Sequence, residues 1–181
     1  FRDGNKVGDL ARQLYPGGDF IDTLNRDEAL ARTSADLKVG GKPIFEAAFL
    51  HEDVLVRADL LVPEKSGYRL VEVKSSTKVK DYHLEDITVQ TWVMQQAGLK
   101  PKRCMVAHID NQFVYPGKGK YQGLLKEVPV DGEVQALIHK VPVWISQAQK
   151  TVAKRKEPNI APGDQCSTPF ACDFAHYCSP P

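Results

Sequence analysis

Residues 53–74 of this 181-residue chain read DVLVRADLLVPEKSGYRLVEVK and decide the fold. The segments at 53–62 and 68–74 are rich in Val and Leu and flank a short polar, glycine-containing stretch, which is the pattern of two strands joined by a loop. Another apolar run at 43–50 precedes them, separated by His51-Glu52. We therefore expect an antiparallel meander of three strands.

The alternation of side chains along the second and third strands brings two carboxylates together. If the loop consists of the four residues Glu64–Gly67, Pro63 pairs with Tyr68. Asp59 then lies directly opposite Glu72, and both side chains point to the same face of the sheet. The sequence thus predicts a pair of acids between neighbouring strands.

Lys74 follows Glu72 by two residues and shares its face of the strand. Opposed carboxylates in apolar strands are destabilising unless a cation compensates them. Mg²⁺ or Mn²⁺ does so with one or two carboxylates, waters and phosphate oxygens, and Lys74 would orient or deprotonate the attacking water. Spacing alone leaves a second interpretation open, in which Glu72 and Lys74 pair on a solvated face and Asp59 only neighbours Arg57.

The remaining patterns predict helices around this meander. Asn25 and Glu28 have the spacing of a capping box, and Gly40-Gly41 ends the helix that they open. Pro142 is expected to interrupt the last helix. The predicted elements are, in chain order, helices at 7–14 and 25–39, strands at 43–50, 53–62 and 68–74, a helix at 83–97, a strand at 103–109, a glycine-rich loop or hairpin at 111–123 and a helix at 131–156.

Three of the four cysteines lie close together near the C-terminus. Cys166, Cys172 and Cys178 have the spacing C-x5-C-x5-C in a proline-rich tail. This asymmetry argues against a disulfide framework, and three soft ligands on a short segment fit an iron–sulfur or zinc site. Three unrelated thiols remain the alternative. Cys104 lies in an alternating strand pattern and is expected to be a small core residue.

Composition and charge exclude several classes of protein. With 24 Lys and Arg against 23 Asp and Glu, the net charge is +1, so bulk charge alone cannot hold DNA. No apolar run approaches the roughly 20 residues of a membrane helix, and no secretory pattern opens the chain. We expect a cytoplasmic protein with no membrane partner. Because the chain begins with Phe1 rather than Met, we also expect it to be part of a longer protein with further domains.

The polar motifs resemble those of the PD-(D/E)XK nuclease superfamily. Arg57-Ala58-Asp59, then Leu70–Lys74, then Gln90 on the following helix, resemble the motifs of its RecB-like exonucleases and CRISPR-adaptation nucleases. The segments Val7–Gly18 and Glu72–Ser76, with Lys80, also resemble the RecB-like domain of a poorly characterised bacterial family. The resemblance implies an α/β fold with a restriction-endonuclease-like αβββαβ core, a mixed sheet, flanking helices and a cysteine-bearing tail. We expect one domain, with the core at 1–156 and the tail at 157–181 packing on it.

The resemblance also implies roles for individual residues. Asp59 and Glu72 would bind Mg²⁺ or Mn²⁺ together with the Val73 carbonyl, Lys74 would assist the attacking water, and Gln90 would steady Lys74 or the DNA backbone. If His51-Glu52 is a two-residue turn, Glu46 lies beside Arg57 and is an additional candidate metal ligand. The tail residues Cys166, Cys172 and Cys178 would hold a [4Fe-4S] cluster.

The sequence departs from the family pattern in two places. Gly8 stands where many RecB-like nucleases have a metal-binding His on the first helix, so activity is expected to be weaker, differently metallated or lost. The fourth cluster ligand is missing; either it lies upstream of Phe1, or His176 completes a Cys3His zinc site with the tail cysteines.

Local clusters of lysine supply candidate phosphate contacts. They are Lys78 and Lys80 after the third strand and Lys118 and Lys120 in the glycine-rich loop, each of which also fits a solvated surface. The function expected is a metal-dependent deoxyribonuclease, exonuclease-like, that acts on single-stranded DNA or free ends in repair or defence. The alternatives are a catalytically weak or inactive DNA-binding or scaffolding module of the same fold, and a zinc-containing hydrolase for another substrate.

Overall fold

The computed structural model describes residues 2–178, with side chains from residue 4 onward. The chain divides after Val141 into two compact units. The first unit is an α/β fold with a mixed sheet and flanking helices. The second begins at Pro142 and contains the cysteine-bearing segment.

Within the described residues, the sheet has six strands in the order β1-β2-β3-β4-β5-β6. The strands are β1 Asp19–Phe20, β2 Ile44–His51, β3 Val54–Glu64, β4 Gly67–Lys74, β5 Arg103–Ile109 and β6 Leu125–Pro129. The helices are α1 Arg2–Leu14, α2 Arg26–Val39, α3 Asp81–Gln96, α4 Asp131–Leu137, α5 Val141–Val152 and α6 Ala175–Cys178. β1 runs parallel to β2 and β4 parallel to β5, whereas the other neighbouring pairs are antiparallel.

The register of β3 on β4 is the one expected from the sequence, although the turn is shorter. Pro63 pairs with Tyr68, which confirms the predicted pairing. Glu64 and Gly67 also pair, so the connection is a two-residue turn rather than a four-residue loop. Gly67 has a φ of 96°, which a side chain rarely tolerates. Because both connections give the same register, the face assignment of Asp59 and Glu72 is unaffected.

The turn between β2 and β3 lies one residue further along than expected. His51 pairs with Val54, so the turn residues are Glu52 and Asp53 rather than His51-Glu52. Both have positive φ, 47° and 60°, as a tight hairpin turn requires. The shift changes which residues face each other along the whole hairpin.

The helices begin and end for the reasons read from the sequence, with one exception. The Asn25 side chain accepts a hydrogen bond from the Glu28 N–H at 3.0 Å and caps α2, which ends at Gly40. The helix predicted at 131–156 is interrupted, as expected of Pro142, but it ends four residues earlier than predicted. A 3-10 turn at Ile138–Lys140 separates α4 from α5, and α5 ends at Val152. The interruption comes just before Pro142, as the missing N–H of proline predicts.

Both faces of the sheet are buried. On one face α3 packs against β2, β3, β4 and β5, and Leu70, Ile87 and Val106 are fully buried. On the other face α1 lies against β4, and Val71 and Met105 belong to a second buried cluster. A strand covered on both sides is apolar on both sides, which explains the near-continuous hydrophobic run of β5. None of the described helices is long and apolar enough to cross a membrane.

Truncation of a core leucine tests this packing. Leu70 is fully buried and Leu24 is 98% exposed, so the two offer a matched comparison in one unit. We expect Leu70→Ala to lower the free energy of unfolding by about 2–5 kcal/mol and Leu24→Ala to change it by less than about 0.5 kcal/mol. Urea denaturation followed by circular dichroism measures both, and equal effects would contradict the described core.

Candidate active site

The charged residues predicted from the sequence meet at the end of the sheet where β4 and β5 finish. Glu72 and Lys74 lie near the end of β4, and β5 runs parallel beside them, with Lys74 paired to His108. The two side chains face α3, the helix that covers this side of the sheet. Together with Asp59 of the neighbouring strand β3, they form a site built from β3, β4 and α3.

Glu72 is the buried centre of the site, with only 4% of its surface exposed. Its Oε1 lies 2.7 Å from Nζ of Lys74. Its Oε2 accepts a hydrogen bond from Nε2 of Gln90 on α3, also at 2.7 Å. Both carboxylate oxygens thus have a donor, which fixes the orientation of the side chain.

Asp59 joins the site through the backbone of β4. Strand pairing between β3 and β4 ends at Leu60 and Val71. Beyond that point the Asp59 carboxylate takes the place of a backbone acceptor, because its Oδ2 accepts the Val73 N–H at 2.7 Å. This bond holds Asp59 beside the peptide that connects Glu72 to Lys74.

Burial and repulsion by neighbouring carboxylates raise the pKa values of both acids. Burial raises the pKa of Asp59 to about 6, against the lowering effect of the Val73 N–H, and the Glu46 charge adds to the rise. Burial also raises the pKa of Glu72 well above its ordinary value, and the charge of Asp59 raises it further. Since each acid resists ionisation, an added cation at this place would be stabilised.

Lys74 supplies one positive charge to this region. Its Nζ lies 2.6 Å from Oδ2 of Asp86 in addition to its contact with Glu72. Burial lowers the pKa of Lys74, but the charges and hydrogen bonds of Glu72 and Asp86 outweigh burial and raise it. Lys74 is therefore held as an ammonium ion, which can donate hydrogen bonds and neutralise charge but cannot accept a proton.

Asp86 is a member of the site that the sequence analysis missed. It lies four residues before Gln90 on α3, so both side chains occupy one face of the helix, and Nε2 of Gln90 is 3.4 Å from its Oδ1. This spacing is the signal that could have found it. An acid near the start of a helix ordinarily stabilises the helix dipole, so the position of Asp86 had a common explanation that did not involve Lys74.

Gln90 leaves one buried acceptor without a donor. Its Oε1 is buried and has no hydrogen-bond partner among the described residues, although its Nε2 is bonded to Glu72. Buried polar atoms without partners are rare in native proteins and call for an explanation such as a bound water or ion. The orphaned oxygen belongs to the same amide group that holds Glu72.

Glu46 contacts Arg57, beside which it was expected, but the register of β2 on β3 differs from the predicted one. Phe45 pairs with Leu60 and Ala47 with Ala58, which sets Glu46 opposite Asp59 rather than opposite Arg57. Its φ is 57°, an uncommon value inside a strand. Its Oε2 lies 3.4 Å from Nε of Arg57. Glu46 thus contributes negative potential to the site while its own charge is paired.

The two histidines near the site each contact a backbone group. The Lys80 N–H donates to Nδ1 of His83 at 3.2 Å, and burial followed by the Lys74 charge lowers the pKa of His83 to about 4. Nδ1 of His108 lies 3.0 Å from the Ile109 carbonyl. Gly8 lies in α1, where a Cβ would meet no atom within 4 Å.

The lysines nominated for phosphate contact are all exposed, and they flank the end of the sheet that carries the site. Lys78 and Lys80 follow β4, and Nζ of Lys80 lies 5.4 Å from the centre of the Tyr82 ring. Lys118 and Lys120 lie in the loop after β5. The structure thus leaves each of them accessible to solvent or a ligand.

The cysteines divide into one core residue and three tail residues. Cys104 is buried and lies 3.4 Å from the Thr91 hydroxyl, as expected of a small core residue. Cys166 and Cys172 are partly buried, Cys178 is exposed, and all three are free thiols. Within residues 2–178, no three His, Cys, Asp or Glu side chains form a group that could hold a metal ion by themselves. The cluster or zinc site of the tail stays a prediction.

Comparisons with known proteins add little to this geometry. No protein-family model matches the chain, and no curated protein matches it. The crystal structure of SSO0001 aligns over 88% of this chain and 72% of that chain, with 15% sequence identity and a TM-score of 0.31. A TM-score this low supports no conclusion about fold or function, so the site is interpreted from its own contacts.

The raised pKa of Asp59 predicts a pH-dependent stability. Because the folded protein holds this proton up to about pH 6, against 3.8 for an ordinary aspartate, the group's contribution to stability is complete below about pH 4 and is lost as the pH rises through 6. We expect the free energy of unfolding of the wild type, minus that of Asp59→Asn, to decrease from pH 4 to pH 6 in EDTA. Asparagine can still accept the Val73 N–H, so a flat difference would contradict the raised pKa.

Proposed function

We propose that this chain is a metal-dependent nuclease domain that hydrolyses phosphodiester bonds in DNA. The observation that carries the proposal is the cluster in which Glu72 contacts both Lys74 and Gln90 while Asp59, on the neighbouring strand, accepts the Val73 N–H between Glu72 and Lys74. Two acids, an ammonium ion and an amide at one strand end form a site suited to a cation and a phosphate.

The residues fit a divalent cation held by Asp59, Glu72 and the Val73 carbonyl. Two carboxylates are enough for Mg²⁺ or Mn²⁺, since waters and phosphate oxygens complete the coordination. The raised pKa values of both acids and the unpartnered Oε1 of Gln90 support this fit, because a coordinated water would give that oxygen a donor. When bound, the ion would lower the pKa of a water and offset phosphate charge.

The protein's own groups would then divide the remaining work. Lys74, held as an ammonium ion, donates a hydrogen bond to the water or to a phosphate oxygen and stabilises the charge that develops in the transition state. It does not act as the base while it is paired with two acids. Asp86 positions Lys74, and Gln90 orients Glu72. Glu46 stays a candidate ligand only if it leaves Arg57.

The finer assignment of the fold is part of this proposal. The order of α1, β2, β3, β4, α3 and β5, with a mixed sheet, supports a restriction-endonuclease-like core of the PD-(D/E)XK type. All proposed site residues belong to the first unit, and the tail cysteines belong to the second. The exposed lysines at the site end of the sheet support an anionic substrate such as DNA. The proposal extends to single-stranded or free ends, in repair or defence.

The absence of a side chain at Gly8 favours a second candidate function. If α1 contributes no metal ligand, the chain would bind DNA without cutting it and act as a binding or scaffolding module. Binding without cleavage in Mn²⁺ would identify this case.

Cleavage assays test the nuclease proposal. We expect wild-type protein with Mn²⁺ to degrade labelled single-stranded DNA and Lys74→Gln to be slower by about 100-fold or more, since Lys74 supplies transition-state stabilisation. Lys65→Ala is the matched control, because this exposed lysine lies in the turn at the opposite end of β4. Equal rates for the wild type and Lys74→Gln, both with native circular dichroism, would contradict the proposal.

Metal binding can be measured without turnover. At pH 7.5 we expect Mn²⁺ at ten times its Kd to raise the free energy of unfolding of the wild type by about 1.4 kcal/mol. Glu72→Gln should lose this gain, and Glu85→Gln, an exposed acid on the same helix as Asp86, should keep it. The cation site would be refuted if all three proteins responded alike in thermal denaturation.

A further inference from the structure

The loop between β5 and β6 leaves the sheet at the same end as the candidate active site. The Ile109 N–H, at the end of β5, donates to the Ser76 carbonyl at 2.9 Å, and Ser76 lies two residues beyond Lys74. The Asp110 N–H donates to the Leu124 carbonyl at 2.8 Å and closes the base of the loop. The loop is thus tied to the exit of β4.

Two tyrosines stack on each other within this loop. The ring centres of Tyr115 and Tyr121 lie 5.1 Å apart with an angle of 19° between the planes. The Tyr115 hydroxyl accepts the Gly119 N–H at 2.8 Å, which ties the pair to the loop backbone. Half of the Tyr115 surface is exposed. The pair is therefore an aromatic surface presented to solvent rather than part of the core.

The charged residues at positions 111–124 of this loop are all lysines. Lys118 and Lys120 are exposed and lie between them in the chain, and residues 111–124 contain no Asp or Glu. Lys118 has a φ of 56° between two glycines that also have positive φ. The loop thus offers an aromatic face with two cations beside it, and an anionic ligand with flat apolar rings is complementary to both features.

We propose that this loop binds unpaired nucleotides, with a base stacked on the Tyr115–Tyr121 pair and neighbouring phosphates on Lys118 and Lys120. The inference rests on the proposed nuclease function and names the residues that would select the single-stranded form of its substrate. Every base has a π face, so stacking tolerates any sequence. In a duplex the base faces are already covered by neighbouring bases. The loop would therefore favour single strands and frayed ends and deliver them to the adjoining site.

Binding measured in EDTA separates this inference from cleavage. The probes are fluorescein-labelled dT12 and U12 oligomers and a 12-base-pair DNA duplex. The full chain is compared with Tyr115→Ala, Tyr115→Phe, the double variant Lys118→Ala/Lys120→Ala and the control Lys65→Ala. We expect Tyr115→Ala to weaken binding to the tighter-bound oligomer by about tenfold or more and to leave duplex binding unchanged.

The variants distinguish stacking from loop shape and from charge. Tyr115→Phe keeps the ring and removes only the hydroxyl that Gly119 contacts, so it should bind within about twofold of wild type. The double lysine variant should reduce the dependence of log K on log salt by about 0.7 for each phosphate that the protein no longer neutralises. Lys65→Ala should change neither quantity.

Unchanged oligomer binding in Tyr115→Ala, or an equal loss for the oligomers and the duplex, would overturn the inference. If Mn²⁺-dependent cleavage that requires Lys74 persists in that case, the proposed nuclease function stands without this loop. If no probe binds and no DNA is cut, the nuclease function and the inference both fail. Comparison of dT12 with U12 shows whether the loop prefers a DNA or an RNA strand. Loss of binding to either oligomer in Tyr115→Ala supports stacking.

Discussion

The balance of charge between β3 and β4 constrains the whole site. Glu72 is buried and Asp59 is partly buried, and the only described ammonium group that contacts either of them is that of Lys74. Two acids beside one ammonium ion leave a deficit of positive charge. The raised pKa values of both acids mean that they tend to keep their protons, which reduces this deficit. Hydrophobic burial of the neighbouring strand residues supplies the stability that tolerates this cost. A site of this kind has a reason to bind a cation that a surface ion pair lacks.

The sequence was sufficient to predict this convergence because strand parity depends on few choices. Two-residue and four-residue connections between β3 and β4 give the same register when Glu64 pairs with Gly67, so an error in the loop did not move Asp59 away from Glu72. In the hairpin between β2 and β3 the register depends on the exact turn, since moving the turn by one residue changed the partner of Glu46. Periodicity fixes the faces of a strand, but turn position fixes the register.

Other features could not be predicted for equally physical reasons. β1 has two residues and is too short to show alternation, and β6 follows a glycine-rich loop and carries two charged residues. Asp86 acquires its role only when α3 packs on the sheet and brings Asp86 to Lys74, because its spacing from Gln90 within the helix is also compatible with an ordinary N-terminal acid. Contacts between distant elements depend on packing, and packing follows from the complete fold rather than from any local pattern. For the same reason, spacing alone does not determine whether the tail cysteines bind a metal.

Asp86 also explains how a cation could enter without leaving Lys74 unpaired. The Lys74 ammonium lies between Glu72 and Asp86, at 2.7 Å from one carboxylate and 2.6 Å from the other. A metal ion at Glu72 would repel this ammonium, and an ammonium with no second partner would be expelled to solvent or lose its proton. Because Asp86 is partly exposed and already bonded to Lys74, it can hold the displaced charge within reach of the site. The arrangement would thus keep a positive donor beside a bound phosphate both with and without the metal.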